Sequence, residues 1–249
     1  MLESFLSFDL YLLVDVFAFA LVVFLACKGS WKRLPALWAY LFAFLVIDGV
    51  ARRYVLYHYG IKSNAYIYCY WLTDAALALG LFLLICTFFQ RACANERKLW
   101  PFLRLFLAFV FVLVLGMSAH TLSRNYENLF SRFIYEFNQN LYFTCLVLNT
   151  LLFIMMQQIE NADDELQMLV CGLGLQFAGP AANFALMFLT PDNTTAHGYA
   201  KLLFAFASPL CTLGMLLTWF YAVVKMPKPA TARASKKLVP VMATSHRSA

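Results

Sequence analysis

What the chain lacks narrows its class first. Only 13% of its 249 residues are charged, where a soluble domain carries about 25%. That is too little polar surface to cover a water-soluble globule of this size. Histidine is scarce: His58, His120, His197 and His246 are the four, and none has another His or a Cys three or four residues away. A metal-centred bundle enzyme, or a haem held by paired histidines, would lack its ligands. The cysteines Cys27, Cys69, Cys86, Cys93, Cys145, Cys171 and Cys211 form no CxxC and no zinc-like spacing. Most fall inside apolar blocks, where a thiol is a small packing residue. GxSG-like nucleophile loops, HExxH and a Glu-Glu pair beside an Arg are missing too. No span carries a mid-helix lysine suited to a Schiff base; Lys201 lies too near a span end. We therefore expect no cofactor and no metal, and an enzyme is the last of the functional readings. The formal charge of +6 is no nucleic-acid signature, because six basic residues sit in the last 25 positions. A tail of that kind contacts an anionic leaflet.

What is present is hydrocarbon: 63% of the chain is hydrophobic. The apolar residues come in blocks of about 20, the length that crosses a bilayer core of about 30 Å at 1.5 Å per helical residue. Backbone in lipid must bond to itself, so the blocks are helices or closed-barrel strands. Barrel strands would alternate in polarity over about ten residues, whereas these blocks are continuously apolar, so helices are expected. The expected fold is all-α, a multi-pass bundle of seven transmembrane helices over residues 1–224. The spans fall at about residues 8–27, 34–57, 66–90, 99–118, 132–158, 166–189 and 199–224. The start has no basic n-region and no small-residue cleavage site before Cys27, so the first block reads as an uncleaved span. Residues 225–249 are Pro-, Ala- and Lys-rich and read as a disordered tail. In the sixth block, Gly174, Ala178 and Ala182 suggest a stripe for close helix approach. Pro180 in the same block should kink the helix or remove one hydrogen bond. There is no soluble domain and no internal repeat.

Basic residues set the orientation. With the N-terminus outside, the inner segments hold Lys28, Lys32, Arg33, Arg91, Arg97, Lys98 and the six tail residues, twelve in all. The outer side holds Arg52, Arg53, Lys62, Arg124, Arg132 and Lys201, six in all. The C-terminus is then expected in the cytoplasm. In this topology the polar residues of the spans fall at one depth. Asp15, Asp48, Asp74, Glu136 and Asn183 lie in the outer third, with Arg52 and Arg53 one turn above Asp48. The inner halves are nearly free of charge. Ionisable groups in spans face a bundle interior or a water-filled cavity and pair with one another. Asp48 and Arg52, at i and i+4, can pair on one helix face. Arg53 is left for Asp15, Asp74 or Glu136, and Trp71 lies one turn above Asp74 on the same face.

The ligand-binding set expected from this pattern is Asp15, Asp48, Arg52, Arg53, Trp71, Asp74, Glu136 and Asn183. The competing reading is a structural ion-pair network with no ligand, since such pairs also act as interhelical glue. Four functions are open: a small-ligand sensor or receptor-like module acting with a partner, a transporter, an accessory subunit of a membrane complex, and an enzyme. The partners expected are membrane lipids, a small polar or amphiphilic ligand, and a cytoplasmic or membrane protein; nucleic acid is not. With YWLTD entering the third span and short loops throughout, the chain resembles uncharacterised seven-helix integral membrane proteins of bacterial genomes. The resemblance implies a bacterial inner-membrane location and carries no activity.

Overall fold

The computed structural model describes residues 2–60, 63–95, 99–122, 129–158, 163–189 and 195–225. Within them, the side chains of 2–9, 95, 99, 121–122, 129–132, 183–184, 186–189 and 195–205 lie outside the description. The expected disordered tail falls outside it from residue 226 onward.

Seven helices account for nearly all the described residues, and no strand occurs among them. They are α1 (Leu2–Cys27), α2 (Pro35–Tyr59), α3 (Asn64–Ala92), α4 (Leu99–Leu122), α5 (Leu129–Gln158), α6 (Asp164–Leu189) and α7 (Thr195–Lys225). Six of them, all but α6, carry a described stretch long and apolar enough to cross a membrane. This is the build of a multi-pass integral membrane protein.

Short-range chemistry sets the helix ends. Gly29 and Gly60 take positive φ, 65° and 74°, at the turns that follow α1 and α2, a conformation open to glycine. Pro35 opens α2, where its missing N–H is no loss. Ser63 caps α3, its Oγ accepting from the Tyr66 N–H at 3.1 Å. Within α2, residues Leu45–Arg52 wind as a π-helix. Bonding from i to i+5 adds a residue to the turn, a device that recurs at functional sites. Nothing in the apolar pattern of the second span foretold it.

The helices close into a ring. α1 packs beside α2, α2 beside α3, α3 beside α5, α5 beside α6, α6 beside α7, and α7 returns to α1. α4 lies outside the ring against α5, with a lesser contact to α3. It exposes Phe102, Leu105, Phe109 and Val112, a face suited to lipid. Asn140 of α5 ties it down, donating to Ser118 Oγ at 3.2 Å.

In lipid, apolar burial does not drive helices together, because the tails are as apolar as leucine; close packing and hydrogen bonds do. The α6–α7 seam shows both. Trp219 is fully buried and its indole N–H donates to the Leu169 carbonyl at 2.9 Å. A Cβ on Gly172 would lie 2.8 Å from the Trp219 ring, and one on Gly179 3.0 Å from Cys211 Sγ. These glycines are two turns apart and share one face. The expected stripe of Gly174, Ala178 and Ala182 is corrected: Ala178 and Ala182 are exposed. Gly174 faces α5 instead, 3.0 Å from Asn149 Nδ2 by the same measure. A spacing of four drifts by roughly 40° per step round a helix, whereas a spacing of seven nearly closes two turns. The helix runs on through Pro180.

The packed core occupies one part of the bundle. In α2 the buried residues are Leu37, Tyr40, Leu41 and Phe44; from Leu45 to Tyr59 there are none. In α3 burial begins at Leu77 and continues to Phe89. Both helices leave the core at the level of Asp48 and Asp74.

Candidate functional site

The site is built where α2 and α3 leave the core. Arg52 is its hub. Its Nη1 donates to Asp48 Oδ1 at 2.8 Å, one turn back on the same helix. Its Nε donates to Thr73 Oγ1 at 2.9 Å, and its Nη2 to the Tyr70 carbonyl at 3.4 Å. The same Nη2 lies 3.5 Å from Asp74 Oδ1. The guanidinium sits 4.4 Å from the centre of the Tyr70 ring. Thr73 is itself oriented by α3, its hydroxyl lying 2.7 Å from the Cys69 carbonyl.

Arg53 points elsewhere. Consecutive helical residues diverge by roughly 100°, so Arg52 reaches α3 while Arg53 reaches α1 and pairs with Asp15. Two adjacent arginines on α2 thus bind its two neighbours. Asp74 gains a second partner from α5: Asn138, fully buried, donates its Nδ2 to Asp74 Oδ2 at 3.1 Å. The other amide oxygen, Asn138 Oδ1, is buried without a hydrogen-bond partner among the described residues, as is Asp15 Oδ1. Trp71 stands edge-on to Tyr70 and to Tyr135 of α5, at 5.9 and 5.4 Å between ring centres.

Of the residues expected from sequence, Asp48, Arg52 and Asp74 therefore form one group between α2 and α3, and Arg53 with Asp15 a second between α2 and α1. Trp71 joins the aromatic wall beside the first. Glu136 is half-buried and makes none of the bonds just described. It lies two residues from Asn138, roughly 200° round the helix, and Asn138 takes the place beside Asp74. Asn183 lies on α6, with its side chain outside the described residues. Thr73 and Asn138 complete the cluster; Asn138 was legible only as a polar residue at similar depth.

A second cluster lies at the opposite end of the bundle, at the helix ends and turns that flank the spans. Glu165, in the first turn of α6, keeps only 2% of its side-chain surface. It pairs with Arg33, from the turn before α2, and with Arg91 at the end of α3, 2.8 Å away. Arg91 also holds Asp163 at 2.7 Å. Sequence placed all four in connecting segments on one side, which was the available signal. The helices extend over Arg91 and Glu165, and the packing of α3 against α6 brings them together. Asp74 and Arg91 lie on the same helix about 25 Å apart at 1.5 Å per residue, so α3 joins the two clusters.

No family model, no curated protein and no solved structure matches the chain. Function must be argued from the site. Among the described residues, no group of three or more His, Cys, Asp or Glu is placed to hold a metal ion. What the cluster offers is recognition: fixed charges, a buried acceptor and an aromatic wall, held by four helices.

Proposed function

We propose that the protein crosses a bacterial inner membrane with all seven helices, N-terminus outside and C-terminus in the cytoplasm. In this reading the Asp74 cluster is the wall of an outward-facing polar pocket for a small polar or amphiphilic ligand. The chain acts as a sensor or receptor-like module whose output passes through helix shifts to a protein partner. The observation that carries this reading is where the core ends. The packed interior of α2 and α3 stops at the level of Asp48 and Asp74, and there those two carboxylates converge on Arg52 while its neighbour Arg53 takes Asp15 of α1. A purely structural network would have no need to leave the Asn138 amide oxygen without a donor among the described residues.

The test is thermal unfolding of the purified protein against a panel of small solutes of each charge class. A solute that raises Tm in the native chain and fails to do so in Asp74→Asn supports the pocket. A panel without effect, with Asp74→Asn changing only stability, leaves a structural network.

A transporter is the second reading. It is favoured by the two ion-pair clusters at opposite ends of the bundle, joined by α3, since a solute crossing the bundle would have to pass both. Uptake into proteoliposomes separates the two; no uptake of a solute that binds removes the transporter.

A further inference from the structure

The Asp74 cluster is unbalanced in a way that specifies its ligand. Three carboxylates, Asp15, Asp48 and Asp74, face two guanidiniums, Arg52 and Arg53. Among the described residues, one negative charge is left over. The atoms without partners have the same bias. Asn138 Oδ1 and Asp15 Oδ1, the two buried side-chain atoms of this cluster that lack a partner among the described residues, are both acceptors. Buried polar atoms are normally paired, and an orphan amide oxygen is destabilising. Among the described residues, the cluster is short of one positive charge and of N–H or O–H donors.

The position of the shortage is specific. Asn138 is fully buried and its amide touches Asp74, so the surplus charge and a bare acceptor meet at one place. Elsewhere the charges are engaged: Arg52 by Asp48, Thr73, Tyr70 and Asp74, and Arg53 by Asp15, whose Oδ1 is the second bare acceptor. Above Asp74 by one turn stands Trp71, edge-on to Tyr135. Aromatic faces attract cations, more so when both are shielded from water.

We infer that the group recognised at Asp74 is a primary ammonium, carried by a small amine, which donates to Asp74 and Asn138 Oδ1 beneath the Trp71–Tyr135 pair. The alternatives fail on the same observations. An anion would enlarge the surplus of negative charge. A neutral polyol would supply donors and leave the charge uncompensated. A bare metal ion would want several carboxylates converging, and no group of three acidic, His or Cys side chains is so placed among the described residues. A quaternary ammonium would supply charge and no donor.

This inference rests on the ligand-binding reading above, and the experiment separates the two. The full chain, purified in detergent in an amine-free buffer, is unfolded thermally with ethylammonium, tetramethylammonium or acetate at matched ionic strength. Ligand that binds only the folded state raises Tm with concentration. Ethylammonium is expected to raise Tm in the native chain and to lose that effect in Asp74→Asn. In Arg53→Gln, where the surplus grows to two, the ethylammonium shift is expected to increase. A shift with acetate alone overturns the sign of the ligand and keeps the pocket. Equal shifts with tetramethylammonium overturn the donor argument. Equal ethylammonium shifts in the native chain and in Asp74→Asn place the amine elsewhere. If Asp74→Asn does not fold, the Arg53→Gln comparison decides, and a weaker or unchanged shift there overturns the inference. Silence of all three probes overturns it too, and only silence of the wider solute panel as well removes the pocket.

Discussion

Arg52 bridges two aspartates of different helices, 2.8 Å from Asp48 on α2 and 3.5 Å from Asp74 on α3. Its side chain keeps 13% exposure, and theirs 20% and 23%, so the group is largely withdrawn from water. Removing one partner of a buried pair is destabilising by about 3–5 kcal/mol, because the other charge is stranded. Partial exposure places Arg52→Gln near the lower end, at about 3 kcal/mol. The double variant Arg52→Gln with Asp48→Asn should recover part of the loss, since it removes a stranded carboxylate along with its partner. Thermal unfolding of both single variants and the double checks this; a double variant whose loss equals the sum of the two single losses would mean the groups act independently.

The opposite end makes a graded prediction. Glu165 holds Arg33 and Arg91 at once and is almost fully buried, whereas Arg33 keeps 34% of its side-chain surface. Glu165→Gln should therefore lower Tm more than Arg33→Gln does. Arg91→Gln should fall close to Glu165→Gln, because Arg91 also holds Asp163. Raising salt should narrow the gap between native chain and Arg33→Gln, as screening acts on the exposed partner first. The comparison is read from melting curves at low and high salt.

How much of this was readable in advance follows from distance along the chain. Asp48 and Arg52 were legible as a pair because i, i+4 spacing fixes their separation once a helix is assumed. Depth in the spans leaves Asp15, Asp74 and Glu136 as partners for Arg53, and only the packing of α1 against α2 selects Asp15. Asn138 over Glu136 could not be read, since both lie at similar depth and the rotation of α5 decides. Arg33, Arg91 and Glu165 fall in segments that read as connections between spans, and only the packing of the helix ends brings them together. The π-stretch at Leu45–Arg52 carries no periodic signal at all, because it changes a turn by a single residue.

The α6–α7 seam makes a steric prediction. A Cβ at Gly172 would stand 2.8 Å from Trp219 Cδ1 and 2.9 Å from its Nε1. That ring is fully buried and bonded to Leu169, so it has nowhere to swing. Gly172→Ala should be destabilising by about 1–3 kcal/mol, the range for overpacking a tight interior. Gly116→Ala, with nothing within 4 Å of the added atom, is the control and should leave Tm unchanged or slightly higher. Melting curves of the pair check it; equal effects would mean that helix propensity and not the seam governs.

Asn140 predicts the attachment of α4. It supplies a polar bond between α4 and α5, through Ser118. Interhelical hydrogen bonds in bilayers average about 0.6 kcal/mol, so Asn140→Leu should lower global stability only slightly. Protease accessibility or hydrogen exchange of α4 should rise before that of the ring helices. Uniform exchange across all seven helices would mean that α4 is no more loosely held than the rest.

The pairing of α1 with α7 sets a clock on assembly. These are the first and the last of the seven helices to emerge during synthesis, so the ring stays open until residues 195–225 have been made. α1 enters with Asp15 unpaired and waits only as far as α2 for Arg53. Its apolar flank, by contrast, must wait for α7, through the synthesis of five further helices. The charge is satisfied early and the shape late, so a chain stalled before α7 would hold its ion pairs while presenting an open seam to whatever neighbour the membrane supplies.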